Sequence, residues 1–333
     1  MWKLALTLSG LLARISQASQ LGPNPDECNG SNAICSRKYS NVSLIGTHDS
    51  AHVGDIHDWR INQERSVTFQ LDSGIRFLQA QTHERHGELR MCHTSCWLLD
   101  AGTLQEYLTT VKDWLDVHPN EVVSMLLTNY DRRPPSDFDD VFSSVGLDKL
   151  AFVPASSPSP LLFDAWPTYA ELIASGSRLV LFLDYEGDTS VVPYILPQFD
   201  YFFETPFNTV DPTFNQCTLD RGPAGSNGDG LMYIVNHFLD IEVGADVLHI
   251  PDEILDIVIP DESKRVLIPD VDSNFVTNAA GGDGSIGAQA DLCKSIWGRW
   301  PSVVLVDMFS RGNVFDAQHH INGLRSKLVA EDQ

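Results

Sequence analysis

Strand-length runs of apolar, largely β-branched or aromatic residues recur along this chain, and each stops at a residue able to do chemistry. The runs are Val42–Ile45, Ile75–Ala80, a shorter Leu89–Cys92, Val122–Leu127, Leu179–Leu183, Tyr201–Phe203, Leu231–Val235 and Val303–Val306. Behind them stand Gly46-Thr47-His48-Asp49, Gln79-Ala80-Gln81-Thr82-His83, His93, Asn129, Asp184, Glu204, Asn236-His237 and Asp307. Helical patterns lie between several runs, most clearly Thr103 to His118, where Leu104, Leu108, Val111, Trp114 and Leu115 share one face behind a Thr103 cap. Continuous apolar strands alternating with helices predict a buried parallel sheet. Their number suits a closed α/β barrel of the TIM type, (β/α), better than an open sheet, because polar side chains at the strand C-termini converge on one face of a barrel.

Composition limits the partners. Lys and Arg number 22 against 45 Asp and Glu, a net charge of −23, and such a field repels nucleic acid and anionic membrane surfaces. No nucleic-acid partner is expected. An anionic substrate must be held by local donors, since long-range steering would push it away.

The N-terminus carries one early cation, Lys3, then an apolar run to Ala13, with Ser16 and Ala18 spaced as a cleavage site requires. The reading is a signal peptide over 1–18 and one domain over 19–333, in a secreted, extracellular protein. The sequons Asn29-Gly30-Ser31 and Asn41-Val42-Ser43 fit that compartment. No other run reaches membrane length, so no stable membrane insertion is expected, and the polar tail ending in Gln333 has no lipid-anchor signal.

Six cysteines form an even set, which in an oxidising compartment reads as bridges. Spacing suggests Cys28–Cys35, Cys92–Cys96 and Cys217–Cys293. The rival is a zinc site at Cys92-His93-Thr94-Ser95-Cys96, for which no second Cys/His pair stands at ligand spacing. Three stretches depart from the alternation: Pro154–Pro160, rich in Ser and Pro; Glu242–Asp272, an acidic, Pro-containing elaborated loop; and Gly281–Gly287. The last lacks the Lys and glycine spacing of a nucleotide loop and is read as a turn.

The chemistry is expected from a histidine pair. His48 follows the first strand and His93 ends the third, so both point into one cleft from nearby strands. Asp307, after the last strand, neighbours the first strand in a closed barrel and can orient His48; one imidazole then takes a proton while the other gives one. His52, His57, His118, His249, His319 and His320 have no constellation around them. Trp97, Trp166, Trp297 and Trp300 read as core or rim packing.

Gly46-Thr47-His48-Asp49-Ser50, Gly74-Ile75-Arg76-Phe77-Leu78, His93, Asn120-Glu121-Val122-Val123 and Val303 to Met308 resemble, in order and spacing, the X-domain of phosphatidylinositol phospholipases C. The segments Leu78–His83, Cys92–Asp100, Asn236–Leu239 and Gly284–Ala288 are more closely similar to the fungal secreted PLC-like phosphodiesterases. The resemblance runs from about Cys28 to Gly323 and implies a phosphoric diester hydrolase or lyase. It implies His48 as general base, His93 as general acid, Asp307 as the carboxylate orienting the base and Asp49 as the neighbour assisting the acid. Cleavage would pass through a cyclic diester where the substrate supplies a vicinal hydroxyl, and directly to the monoester where water attacks.

The chain also departs from that pattern. Gln79 and Gln81 stand where metal-dependent relatives have acidic ligands, and Gln81 again where metal-free bacterial enzymes have a phosphate-binding Arg; Asp184 replaces an inositol-binding Arg. No cofactor and no metal are therefore expected, and inositol recognition is not carried over. The substrate-binding candidates are Gln79, Gln81, Asn129, Asp184, Asn236 and His237, with His83 and His86 as further possible cations. The expected partner is a phosphodiester small molecule or a lipid headgroup. Two alternatives stand beside this: a barrel without useful turnover that binds carbohydrate or lipid headgroups, and a metal-dependent diesterase of the glycerophosphodiester or sphingomyelinase-D kind.

Overall fold

The computed structural model describes residues 27–248, 250 and 265–324; the expected signal segment, His249 and the middle of the acidic excursion lie outside them. Twelve strands are present among the described residues: β1 (Leu44–Thr47), β2 (Phe77–Arg85), β3 (Glu88–His93), β4 (Leu99–Thr103), β5 (Val123–Asn129), β6 (Leu179–Leu183), β7 (Ile195–Pro197), β8 (Phe202–Glu204), β9 (Met232–Asn236), β10 (Asp240–Gly244), β11 (Arg265–Pro269) and β12 (Val303–Val306). Eight of them form one curled parallel sheet in the order β7-β6-β5-β2-β1-β12-β9-β8. This is the expected α/β, TIM-barrel-like architecture, with the first strand hydrogen-bonded to the last.

Period-two alternation decides the two cores. Leu44, Phe77, Leu126, Val180, Phe182, Phe202, Ile234, Val303 and Leu305 share one cluster, which Tyr39, Trp166 and Tyr169 extend. Their neighbours Ile45, Leu78, Met125, Leu127, Leu181, Tyr233, Val304 and Val306 belong to a second cluster with the helices. One parity thus faces the barrel interior and the other the helical layer. The helix Leu104–Val117 turns Leu104, Leu108, Val111 and Leu115 into that layer and starts at a reciprocal Thr103–Glu106 capping box.

Four expectations are corrected. The short run before His93 is not a barrel strand: β3 pairs antiparallel with β2, and β4 with β3, as a ribbon standing beyond the sheet. Its place in the barrel falls to β7, a strand the apolar pattern does not mark because its apolar residues are bracketed by Pro193 and Pro197. The barrel is also not sealed by hydrogen bonds. No ladder joins β7 to β8 among the described residues, since only residues 198–201 connect them and paired parallel strands need a crossover of about a dozen residues or more. The two ends of the acidic excursion are not loop but form the antiparallel ribbon β10–β11.

All six cysteines pair as expected, Cys28–Cys35, Cys92–Cys96 and Cys217–Cys293, which removes the zinc reading. Of the tryptophans, Trp166 is buried, Trp297 and Trp300 pack against the core, and Trp97 is exposed on the rim. The Gly281–Gly287 turn leads into the helix Ile286–Trp297, capped by the Ser285 hydroxyl accepting from the Ala288 N–H. No helix among the described residues is long and apolar enough to cross a membrane.

Gly46 sits where β1 passes between β2 and β12. A Cβ there would lie 2.8 Å from Leu305 Cδ2 and 3.1 Å from the Phe77 carbonyl oxygen, closer than packed atoms tolerate. Gly46→Ala is expected to destabilise the fold by about 1–3 kcal/mol through overpacking, read as a lower urea midpoint at unchanged slope; an unchanged midpoint would contradict the packing described.

Candidate active site

His48 and Asp49 follow β1 and Asp307 follows β12, the two strands joined by the ladder between the first strand and the last. Interior parity at Gly46 and Leu305 carries on to His48 and Asp307, one step past β1 and β12, so the two side chains meet. His48 Nδ1 lies 2.9 Å from Asp307 Oδ1 and donates to it. Asn62 Nδ2 donates to both Asp307 oxygens at 3.2 and 3.3 Å, and Gln63 Nε2 to the carbonyls of His48 and Val306. The opposite face of the His48 ring stacks on Phe238, centroids 3.8 Å apart and planes 3° from parallel.

His93 reaches the same point from the ribbon. Its Nε2 is 3.4 Å from Asp49 Oδ2, and His48 Nε2 is 3.5 Å from that same oxygen. Both imidazoles therefore share one carboxylate oxygen. The Cys92–Cys96 bridge spans His93 and ties the strand end to the turn after it. The residue following each of the three groups is left-handed without being glycine: Asp49 after His48 at φ 43, Thr94 after His93 at φ 58, Met308 after Asp307 at φ 44. Each such conformation costs about 1–3 kcal/mol and persists only where surrounding contacts hold it.

Gln79 and Gln81 hold Asp49. Gln79 Oε1 accepts from the Asp49 N–H at 2.7 Å, and Gln81 Nε2 donates to Asp49 Oδ2 at 2.8 Å while its Oε1 accepts from the Thr94 N–H. Each of their carbonyl oxygens thus already accepts one backbone hydrogen bond. Among the described residues no group of three or more His, Cys, Asp and Glu side chains is placed to hold a metal.

The other expected substrate residues lie elsewhere. Asn129 and His237 carry the outward parity: Asn129 Nδ2 donates to the Arg133 and Tyr185 carbonyls, and buried His237 lies between Gln289 Oε1 and the Thr277 carbonyl. Asp184 and Asn236 point inward but form a separate network, in which Arg221 contacts Asp184 at 3.4 Å and Glu204 at 3.3 Å, and Asn236 Nδ2 donates to Glu204. His83 faces Asp131 and Tyr130, and His86 lies exposed in the β2–β3 turn.

A cavity of about 420 Å3 opens over the pair, lined among others by His48, Asn62, Gln81, His93, Thr94, Phe238, Asp240 and Arg265. Asn62, Asp240 and Arg265 carry no periodic signal in the sequence. His52, read there as isolated, is fully buried with Nδ1 3.6 Å from Asp49 Oδ1 and its ring 5.2 Å from that of His93. Only the turn after β1, folding back on itself, makes that contact.

Charge is divided unevenly. Burial opposes protonation of His48, but Asp49 and Asp307 outweigh it and raise its pKa to about 9. Burial dominates at His93, with Asp49 opposing, and lowers it to about 4. Asp49 is held well below the usual carboxylate range, because the neighbouring imidazoles overcome the effect of burial. At neutral pH one proton resides on the pair, on His48.

The PI-PLC X family model matches residues 34–322. This chain belongs to the PI-PLC X family. A PI-PLC X domain-containing protein 1 of Arthroderma benhamiae is 47% identical over 96% of this chain and 97% of its own. An uncharacterized secreted protein of the same organism is 39% identical over 92% of this chain and 66% of its own length. Among solved structures, the phosphatidylinositol-specific phospholipase C of Listeria monocytogenes aligns with 88% of this chain and 96% of that one, at a TM-score of 0.47 and 13% identity. Membership in the PI-PLC X family agrees with the resemblance carried by the strand-end motifs.

Asp307→Asn removes both the attraction and the anionic acceptor that help keep His48 charged. The His48 pKa is then expected to fall from about 9 by at least about one unit, followed by titration of the imidazole proton resonances. A His48 that still titrates where it does in the wild type would show that Asp307 does not set its charge.

Proposed function

We propose that this protein cleaves phosphodiesters by acid–base catalysis, with His48 and His93 as the exchanging pair. The observation that carries the reading is the shared oxygen: both Nε2 atoms approach Asp49 Oδ2 at the base of the cavity, while Asp307 holds the far side of His48. In the productive state His48 is neutral at Nε2 and takes the proton of the attacking hydroxyl. That oxygen bonds to phosphorus, the bond from phosphorus to the leaving alkoxide breaks, and His93 delivers its proton to the leaving oxygen. The attacking hydroxyl is the substrate's own vicinal one, giving a cyclic diester, or water, giving the monoester.

The free site holds its single proton on the other imidazole, so substrate must move it. A phosphodiester anion beside His93 stabilises the charged imidazole there, and Asp49, touching both Nε2 atoms, remains the counter-charge throughout. Asn62, Gln81, Thr94 and Arg265 line the cavity as the other groups near an oxyanion. The disulfides and the relative named as secreted support an extracellular setting.

His48→Ala or His93→Ala is expected to lower turnover of a cleaved diester by about 10²- to 10⁴-fold with the fold retained. A double variant as active as wild type would end the proposal. Because the pair must hold one proton in total, activity is expected to fall below about 4, where His93 also protonates, and above about 9, where His48 loses its proton. A profile with a single ionisation inside that window would require a different pair of groups.

With both Gln79 and Gln81 committed to Asp49 and its surroundings, turnover is expected to be unchanged by exhaustive chelation. Loss on chelation and recovery with calcium or magnesium would assign the cleft to the metal-dependent diesterases instead.

A further inference from the structure

Asp240 is a buried carboxylate of the cavity that the mechanism above does not use. It opens β10 directly behind Phe238 and Leu239, with its backbone N–H donating to the Thr209 carbonyl at 2.8 Å. It is 8% exposed and lines the same cavity as His48 and His93. No described residue donates a hydrogen bond to its carboxylate, and no described cation forms an ion pair with it. Burial, reinforced by Asp307 and opposed by His48, raises its pKa to about 7. A buried carboxylate without a donor is costly unless a ligand supplies one.

The surroundings say which kind of donor fits. Trp59, Phe207 and Phe238 line the cavity together with Asp240, one face of Phe238 being covered by His48 and the Phe207 ring already lying 5.7 Å from Arg221, and aromatic walls in a cavity that holds a carboxylate favour an organic cation. Charge in the cleft favours it too. Asp49 and Asp307, with Asp240 about half ionised at neutral pH and fully ionised beside a cation, face one imidazolium, His48, and the Arg265 at the rim is paired with Glu242 at 3.1 Å, all within a chain of net charge −23. An anionic diester alone deepens that negative potential; one whose alcohol carries an ammonium group enters with no net charge. Resting on the proposed phosphodiesterase reading, we infer that Asp240 and the Trp59–Phe207–Phe238 walls form a subsite for the ammonium group of an aminoalcohol phosphodiester, whether in a phospholipid or in its deacylated form.

The test uses the full chain in two arms. In the binding arm, phosphoethanolamine, phosphocholine and glycerol 3-phosphate are titrated calorimetrically into wild type, Asp240→Asn and Trp59→Ala. The two aminoalcohol probes are expected to bind at least about 10-fold more tightly than glycerol phosphate, as a charge-assisted contact supplies. Asp240→Asn should remove most of that difference, and Trp59→Ala should weaken the ammonium probes while leaving glycerol phosphate unaffected. Equal binding of all three probes to wild type, or a difference unaltered in both variants, overturns the inference. In the turnover arm, glycerophosphoethanolamine and vesicles containing phosphatidylethanolamine are compared with glycerophosphoglycerol and phosphatidylglycerol. Preference for the soluble amine assigns the deacylated diester as source, and preference for the vesicle assigns the lipid. Selective ammonium binding without cleavage of any diester sinks the phosphodiesterase reading while leaving the subsite in place; cleavage of the anionic glycerol diesters as fast as the amines does the reverse.

Discussion

The His48 Nδ1–H donates to Asp307 across the ladder that joins the first strand to the last, and the candidate site is organised around that bond. Register along β1 and β12 pairs Thr47 with Val306, so the residue after each strand stands beside its counterpart. With Nδ1 committed, His48 presents Nε2 to Asp49 and the cavity. His93 arrives at the same oxygen from an antiparallel ribbon that shares no parallel ladder with β12. Two independent pieces of architecture thus meet at one carboxylate.

Holding that meeting point is energetically unfavourable, and the fold compensates by packing and hydrogen bonding. Asp49 and Asp307 are buried charges, which need partners, and each has several: Gln81 and the imidazoles around Asp49, His48 and Asn62 around Asp307. Left-handed backbone at Asp49, Thr94 and Met308 turns the chain immediately after His48, His93 and Asp307. It is held by contacts such as the Met308 N–H to the Asn62 carbonyl and the Thr94 N–H to Gln81. Preorganisation of this kind keeps two imidazoles of opposite protonation preference within reach of one reacting centre.

Parity separates the strand-end residues that were legible from those that were not. His48, Gln79, Gln81, Asp184 and Asn236 all share the interior parity of their strands, whereas Asn129 and His237 share the outward one. Counting by twos from Leu126 or Ile234 already turns Asn129 and His237 toward the helices. Parity does not, however, divide the mouth of the barrel. Asp184, Glu204 and Asn236 gather around Arg221 on their own side, and Arg221 comes from an irregular connection with no sequence signal. Asn62, His52 and Asp240 were equally silent, being placed by loops whose course depends on contacts far away in the chain.

The amino-acid sequence by itself determined the alternation of buried strands and helices, the even set of cysteines whose spacing suggested the bridges, and the histidine and carboxylate that follow the first and last strands. These depend on local periodicity, spacing and chain order, which are properties of a string. Tertiary structure alone decided that His93 stands on an antiparallel ribbon, that β7 and β8 remain unladdered, and that Asp49 serves both imidazoles. It also decided which side chain is charged, because the pKa of His48 and that of His93 are displaced in opposite directions by burial and by the placing of Asp49 and Asp307 around them. Such electrostatic effects depend on distances through space, and those exist only once the sheet has curled and its ends have met.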